Sequence, residues 1–281
     1  MTSDPLAHLF RLDGQVAIVT GAAGRLGSQY ARVLAAAGAS VAGLHVVEPG
    51  PAAQALFDEC GGALSFHCVD ATTRDAVDRA LTTVVQRFGV PTILVNNAGL
   101  GSSPADAALE TGRFEHYPES AWTAMLDSHL KSMLVVSQSF IAAFREARAT
   151  RRALTGSIIN VSSTYGMVTP DQSVYEFRRR DGAEYYKPVG YSVAKSGVLN
   201  FTRWLAEYGA PFGVRVNTLV PGGVQEPGHE PEFVAEYVKR TPLGRMATAE
   251  DYNGAIVFLA SNASAYMTGA TLVVDGGWTA R

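Results

Sequence analysis

The chain contains 281 residues, 47% of them hydrophobic and 17% charged, and its 23 Lys and Arg against 26 Asp and Glu give a formal charge of −3. This near balance excludes a strongly basic nucleic-acid-binding protein and a highly acidic disordered chain, and the apolar fraction is typical of a globular domain. The chain has two cysteines, six histidines without metal-ligand spacing, no signal-peptide pattern and no apolar run of about 18 residues. These features predict a cytoplasmic protein without a disulfide framework, metal site or membrane span.

Short apolar runs alternate with helical patterns along the chain. The predicted strands lie at 15–20, 40–47, 64–69, 92–95, 157–161, 215–220 and 271–274. Helical spacing is present at 27–38, which closes on Gly38, and at 75–88. Strands without polar alternation are buried on both faces, as parallel strands are. The pattern predicts an α/β fold with one domain over residues 1–281, built on a doubly wound, Rossmann-like parallel sheet of about seven strands flanked by helices.

Two segments lie outside this alternation. Residues 1–14 form a short N-terminal arm, and residues 168–188 are polar and aromatic without clear periodicity, which predicts an inserted loop. The run Arg178-Arg179-Arg180 in this loop is either a solvated group of charges or an attraction for a carboxylate or phosphate. The aromatic side chains of the loop either line a pocket or fix the loop, and they are Tyr175, Phe177, Tyr185 and Tyr186.

A glycine-rich turn follows the first predicted strand and precedes the first predicted helix. It has the sequence TGAAGRLG at residues 20–27. Glycines let the backbone approach a pyrophosphate, and the N–H groups at a helix N-terminus attract its charge. The position between strand and helix therefore favours a dinucleotide site over a tight turn without a ligand.

The end of the second predicted strand bears on the choice between NAD and NADP. A carboxylate about 20 residues after the turn favours NAD and an arginine favours NADP, but His45 occupies this place. No Lys or Arg occurs from Val33 to Thr73, so this region lacks the usual cation for a 2′-phosphate. We expect NAD, while Arg25 leaves NADP open. The alternative for His45 is a histidine without a ligand.

Tyr191 and Lys195 are four residues apart, so on a helix they share one face. A tyrosine with an ordinary pKa near ~10 is a poor base at neutral pH. A neighbouring ammonium lowers that pKa, and such a pair exchanges a proton with a carbinol or carbonyl oxygen. Three further motifs each follow a predicted strand, and they are Asn96-Asn97-Ala98-Gly99, Asn160-Val161-Ser162-Ser163 and Pro221-Gly222-Gly223.

In this order the motifs resemble those of the short-chain dehydrogenase/reductase family over nearly the whole chain. The resemblance implies that Tyr191 is the general acid/base, that Ser163 hydrogen-bonds the substrate oxygen, and that Lys195 holds the nicotinamide ribose and lowers the pKa of Tyr191. The expected cofactor-binding residues are Gly21, Gly24, Arg25, Leu26, Gly27, His45, Asp70, Ala71, Asn97, Ala98, Gly99, Tyr191, Lys195, Pro221, Gly222 and Val224.

Two departures from the family pattern concern the site. The family usually has an asparagine seven residues after the tryptophan of its fourth helix, where Trp122 here leads to His129. We expect His129 to bind the water that links Lys195 to solvent, and its ring to add a group that titrates near ~6.5. The alternative is that His129 is a helix residue that only packs against its neighbours. The other departure is the stretch from Ser163 to Tyr191, which keeps the 168–188 loop near the site, where loops set specificity.

The residues and the resemblance predict an NAD(P)-dependent oxidoreductase that interconverts a secondary alcohol and a ketone. The alternative is a dinucleotide-binding regulator or scaffold without catalysis. Residues 223–247 resemble the family's substrate lid, and with the long loop they are similar to sugar- and polyol-directed, gluconate-dehydrogenase-like relatives. A 3-hydroxyacyl or 3-oxoacyl substrate is the other interpretation. The resemblance also implies a homotetramer or a dimer, a small-molecule substrate, and neither nucleic-acid nor membrane partners.

Overall fold

Seven parallel strands form one sheet in the computed structural model, which describes residues 5–101, 112–179 and 184–280. The strands are β1 (Val16–Thr20), β2 (Ser40–His45), β3 (Leu64–Cys68), β4 (Ile93–Asn96), β5 (Gly156–Val161), β6 (Val214–Pro221) and β7 (Thr271–Val274). Their order across the sheet is β3-β2-β1-β4-β5-β6-β7. The predicted doubly wound sheet is therefore confirmed, and each predicted strand is present with small shifts at its ends.

Nine α-helices occur in the described part of the chain. They are α1 (Pro5–Phe10), α2 (Arg25–Ala36), α3 (Pro51–Cys60), α4 (Arg74–Phe88), α5 (Glu119–Leu126), α6 (Ser132–Thr150), α7 (Val189–Gly209), α8 (Pro231–Arg240) and α9 (Asn253–Ala260). The N-terminal arm contains α1, and Leu12 beyond it is buried and donates its N–H to the carbonyl oxygen of Ala37 at 2.9 Å. None of these helices has both the length and the apolar character that crossing a bilayer requires.

Apolar side chains cover the sheet on both faces. All five residues of β1 are buried. One layer includes Tyr30 and Leu34 of α2 with Ile256 of α9, and the other includes Phe140 and Phe144 of α6. Because helices pack on both faces, most strand positions are buried, and this explains the largely apolar runs in the sequence.

The described part of the 168–188 segment has local structure that its sequence does not predict. Gln172–Arg178 is a 3₁₀ helix. The buried side chains of the segment form an apolar cluster with α8 and Met246. The members of this cluster are Val174, Tyr175, Tyr185, Phe233, Tyr237 and Met246. Arg240 of α8 also pairs with Asp171 at 2.6 Å. The inserted segment and the 223–247 segment thus pack against each other.

Candidate active site

The carboxyl ends of the strands open into a cleft of about 660 Å³. In a doubly wound sheet, ligands bind where the strand order reverses, which here is between β1 and β4. The predicted site residues that line the cleft are Gly21, Gly24, Arg25, Leu26, His45, Asp70, Ala71, Asn97, Ala98, Gly99, His129, Ser163, Tyr191, Lys195, Pro221, Gly222 and Val224. Gly27 is a predicted site residue that lies outside the cleft lining.

Close backbone contacts shape the glycine turn. Gly21 has φ +67°, a left-handed conformation that favours glycine. A Cβ on Gly27 would lie 2.1 Å from the carbonyl oxygen of Gly21, so a side chain has no room there. Gly24 precedes α2 and has no side chain to cap the helix, whose first N–H groups have no partner within the helix. These features fit the pyrophosphate of a dinucleotide.

The cleft reaches the ends of β2 and β3, where an adenosine ribose is expected. His45 is partly buried, and burial lowers the pKa of its ring. Asp70 accepts hydrogen bonds from the N–H and the hydroxyl of Thr72, at 2.9 and 2.7 Å, and they lower the pKa of its carboxyl. Arg25 is engaged elsewhere: it pairs with Glu226 at 3.3 Å and donates to the carbonyl oxygen of Gln225 at 2.9 Å.

Backbone and side-chain amide groups tie the strand ends together. The N–H of Asn97 donates to the hydroxyl of Thr20 at 3.0 Å, and its side-chain amide donates to the carbonyl oxygen of Thr20 at 3.2 Å. Asn96 donates to Asn160 at 2.9 Å, and Asn160 donates to the hydroxyl of Thr202 in α7 at 2.9 Å. These bonds fix the loop after β4 and the helix that carries Tyr191 against the sheet.

Tyr191 lies in the first turn of α7, beside Ser163, which is two residues past the end of β5. Burial raises the pKa of the Tyr191 phenol, while a hydrogen bond with the Ser163 hydroxyl acts in the opposite direction. The pKa stays above its usual value, so the phenol is protonated at neutral pH. The lowering of this pKa by Lys195 that the resemblance implies stays a prediction, because burial and the Ser163 hydroxyl are the causes that act on the phenol here.

Lys195 follows one turn later in α7 and is buried. Its ammonium donates to the carbonyl oxygen of Val161 at 3.0 Å and lies 5.8 Å from the ring centre of Tyr191. Burial lowers the pKa of Lys195 to about 8, which leaves it mostly charged at pH 7. The Ser162 hydroxyl donates to the carbonyl oxygen of Lys195 at 2.7 Å, which holds this turn of α7 against β5.

His129 lies in a π-helical turn, Asp127–Lys131, between α5 and α6. Such turns are frequent at functional sites. Its Nε2 lies 3.1 Å from the carbonyl oxygen of Leu100, which only accepts, so Nε2 carries the proton. Burial and the charge of Lys195 hold the pKa of His129 well below its usual value. The expected titration near ~6.5 is therefore wrong: the ring stays neutral, with Nδ1 an acceptor that has no partner among the described residues.

The inserted segment contributes to one end of the cleft. Tyr175 lines this end and stacks on Phe233 of α8 at a centroid distance of 5.7 Å. Tyr185 belongs to the same buried cluster but does not line the cleft. Lys187 also lines this end and was not among the residues predicted for the site. Its one signal was its position, four residues before Tyr191.

The arginines of the run that the structure describes contact groups of the protein itself. Arg178 pairs with Glu230 at 2.5 Å, and Arg179 donates to the carbonyl oxygen of Tyr185 at 3.0 Å. Arg180 lies outside the described residues. The described arginines therefore connect the segment to the protein itself.

Known proteins are similar to this chain over nearly its full length. A family model described as Enoyl-(Acyl carrier protein) reductase matches residues 21–279. The 2-dehydro-3-deoxy-D-gluconate 5-dehydrogenase of Escherichia coli is 32% identical over 277 residues, which is 97% of this chain and 98% of that protein. The 3-oxoacyl-(acyl-carrier-protein) reductase of Chlamydia muridarum is 31% identical over 272 residues, which is 95% of this chain and 98% of that protein.

Two crystal structures extend the comparison to bound cofactors. A short chain dehydrogenase from Leptospira borgpetersenii with bound NAD+ has a TM-score of 0.82 at 27% identity, covering 99% of this chain and 97% of that one. A gluconate 5-dehydrogenase from Burkholderia cenocepacia, in complex with NADP and tartrate, has a TM-score of 0.81 at 27% identity, covering 98% and 99%. Fold, site and relatives define an NAD(P)-dependent oxidoreductase that acts on CH–OH groups. The chain belongs to the short-chain dehydrogenase/reductase family.

Proposed function

We propose that the protein interconverts a secondary alcohol and a ketone, with Tyr191 as the general acid/base. The observation that carries this proposal is the meeting of Ser163, Tyr191 and Lys195 in the same cleft as the glycine turn. NAD(P), when bound, supplies the hydride acceptor or donor. The glycine turn and the residues after β4 would hold its adenosine half, and those after β6 its nicotinamide half.

Tyr191 moves the proton in this proposal. Its raised pKa keeps the phenol protonated at neutral pH, so it donates a proton to the oxygen of a ketone, and in the reverse direction the phenolate accepts the proton of a carbinol. Ser163, which is hydrogen-bonded to the same phenol, positions that oxygen. The charged Lys195 stabilises a phenolate one turn away, because opposite charges attract.

We assign the proton path to solvent to Lys195 and a water at His129. The neutral ring leaves Nδ1 as a buried acceptor, and a water that donates to it can accept a hydrogen bond from an ammonium. Both side chains lie beside the Tyr191 ring, whose centre is 5.5 Å from that of His129 and 5.8 Å from the Lys195 ammonium. In the alternative, His129 only packs against Tyr191, whose ring it meets edge-on at 5.5 Å.

The adenosine end of the cleft favours NAD over NADP. Arg25 is paired with Glu226, and the segment from Val33 to Thr73 contains no Lys or Arg. A 2′-phosphate therefore gains no ion pair from that segment. We expect kcat/KM for NAD+ to exceed that for NADP+ at least tenfold, or about 1.4 kcal/mol. We also expect His45→Arg to raise the use of NADP+. A wild-type protein that uses NADP+ better than NAD+ would contradict this assignment.

The reaction is tested by following the reduced cofactor spectrophotometrically with a panel of secondary alcohols and ketones. The panel includes polyols, sugar acids and 3-hydroxyacyl thioesters, because the printed names of the relatives include both sugar-acid and acyl substrates. We expect turnover with at least one member. Binding of the dinucleotide without turnover of any member would favour the catalytically silent regulator or scaffold.

The homotetramer or dimer implied by the resemblance remains a proposal. Trp204 and Tyr208 of α7 support it, because their rings stack at 5.5 Å while 63% and 41% of these residues is exposed in the single chain. Exposed aromatic pairs of this kind are enriched at protein interfaces.

A further inference from the structure

Helix α8 is tied to the inserted segment at both of its ends. Glu230, which precedes the helix, pairs with Arg178 at 2.5 Å, and Arg240, its last residue, pairs with Asp171 at 2.6 Å. Between these two pairs, the apolar cluster described above fills the space between the helix and the segment. The helix and the segment thus form one packed unit at one end of the cleft.

Arg240 uses all three nitrogen atoms of its guanidinium. Its Nε donates to a carboxylate oxygen of Asp171 at 2.6 Å, and one terminal nitrogen donates to the hydroxyl of Ser173 at 2.6 Å. The other terminal nitrogen donates to the carbonyl oxygen and to the carboxylate of Glu236, one turn earlier in α8, both at 2.9 Å. A guanidinium held by several acceptors in a fixed geometry contributes more than an isolated surface pair does.

Asp171 is positioned by the local structure of the inserted segment. It precedes the 3₁₀ helix Gln172–Arg178 and accepts hydrogen bonds from the N–H and the hydroxyl of Ser173, at 2.9 and 2.6 Å. Hydrogen bonds from Ser173 and Arg240 lower the pKa of the Asp171 carboxyl, so it is charged at neutral pH. The same carboxylate therefore begins this helix and holds Arg240.

The packed unit reaches the proposed catalytic residues through Tyr175. The ring of Tyr175 stacks on that of Phe233 at 5.7 Å, and both residues line the cleft. The hydroxyl of Tyr175 lies 3.3 Å from that of Tyr165, whose N–H donates to the Ser163 hydroxyl at 3.2 Å. A displacement of the packed unit would therefore change the cleft wall beside the residue proposed to position the substrate oxygen.

Helix α8 has a second attachment, on the side where the nicotinamide half is proposed to bind. The hydroxyl of Tyr237 accepts the N–H of Gly223 at 2.7 Å, and its ring stacks on Trp278 at a centroid distance of 4.1 Å. These contacts do not involve the inserted segment. Loss of the link through Arg240 should therefore change the wall that contains Tyr175 and leave the cofactor half of the cleft in place.

We propose that Arg240 is a positioning residue for the substrate: it fastens α8 to the inserted segment, which keeps Tyr175 and Phe233 together as one wall of the cleft. This inference rests on the proposed function, because it places the substrate beside Tyr191. Arg240 lies outside the cleft lining, so it acts through the two side chains of the wall. A wall that is already in place loses less conformational entropy when the substrate binds.

Three substitutions separate the charge, the hydrogen bonds and the partner. Arg240→Met removes the guanidinium and keeps a long apolar side chain. Arg240→Lys keeps the charge, and Asp171→Asn removes the partner's charge while its side-chain oxygen can still accept the N–H of Ser173. Arg32→Met is the matched control, because Arg32 of α2 pairs with Glu59 of α3 at 2.6 Å and neither residue lines the cleft. Titration with NAD+ shows that each variant is folded.

Hydrogen exchange of peptides from α8 measures the fastening without turnover. In the NAD+ complex, we expect exchange in the last turn of α8 to be about tenfold faster in Arg240→Met than in the wild-type protein, with Arg240→Lys in between. Arg32→Met should leave the exchange of α8 unchanged. Equal exchange of α8 in folded Arg240→Met and in the wild-type protein would overturn the inference.

Steady-state kinetics with a substrate found in the panel measure the positioning. We expect Arg240→Met to raise KM for the substrate about tenfold and to change kcat less than about threefold, because the wall binds substrate and transition state alike. Adding Asp171→Asn to Arg240→Met should raise KM no further, since both substitutions remove the same interaction. An unchanged KM in Arg240→Met, or effects of the two substitutions that simply multiply, would overturn the inference.

Exchange and turnover together distinguish this inference from the proposed function. Faster exchange of α8 in Arg240→Met, with no turnover of any panel member by the wild-type protein, would support the fastening and contradict the reaction. Turnover by the wild-type protein, with the same KM in Arg240→Met, would support the reaction and contradict the role of Arg240.

Discussion

Tyr191→Phe is expected to lower kcat by about 10²- to 10⁴-fold, the range that general acid–base catalysis contributes. The substitution removes only the phenolic oxygen, which is the atom that exchanges the proton. The ring still packs edge-on against His129, so the dissociation constant for NAD+ should change less than about threefold, under 1 kcal/mol. Steady-state turnover and a calorimetric titration with NAD+ measure the two quantities.

Tyr266→Phe is the matched control, because Tyr266 is fully exposed. It should leave both turnover and cofactor affinity unchanged. Wild-type turnover in the Tyr191→Phe protein would eliminate the phenol as the acid/base. Loss of NAD+ affinity together with turnover would instead assign Tyr191 to the binding of the cofactor.

Gly27→Ala is expected to disrupt the dinucleotide site although Gly27 lies outside the cleft lining. The new Cβ would lie 2.1 Å from the carbonyl oxygen and 2.7 Å from the carbonyl carbon of Gly21, so the turn must move. Overpacking of this kind costs about 1–3 kcal/mol of stability. Gly21 lines the cleft, and the Cβ added at position 27 would displace it. We therefore expect NAD+ affinity to fall at least tenfold as well.

Gly50→Ala provides the comparison for this variant. Gly50 precedes α3 with φ −70°, and a Cβ there meets nothing within 4 Å. Chemical denaturation and NAD+ titration of both variants separate a general cost of replacing glycine from the local clash. Equal stability and equal NAD+ affinity in the two variants would show that the tight contact between Gly27 and Gly21 is not required.

The sheet and the glycine turn are predictable because local sequence determines them. β1 is buried at all five positions, and its apolar run is continuous for that reason. Helix α3 lacks such a signal, since Ala53 and Phe57 are its buried residues and most of its face is solvated. Its amphipathic pattern is therefore too weak to distinguish it from a loop.

The parts of the site that sequence did not predict depend on distant contacts. Arg25 donates to the carbonyl oxygen of Gln225, 200 positions away, and nothing near either residue indicates the pairing. The inserted segment is organised by the contact of Tyr175 with Phe233 of α8. The spacing of Tyr191 and Lys195 predicts a neighbouring charge, but the degree of burial that raises the phenol pKa follows only from the complete fold.

Isotope transfer tests the central claim most directly. A substrate found in the panel is deuterated at its carbinol carbon and oxidised in the presence of NAD+, and the reduced cofactor is analysed by mass spectrometry. We predict that the deuterium is recovered in the nicotinamide ring and that turnover slows, because the hydride passes directly between the two carbons while Tyr191 handles only the proton on oxygen. Deuterium released to water, with none in the reduced cofactor, would contradict this account.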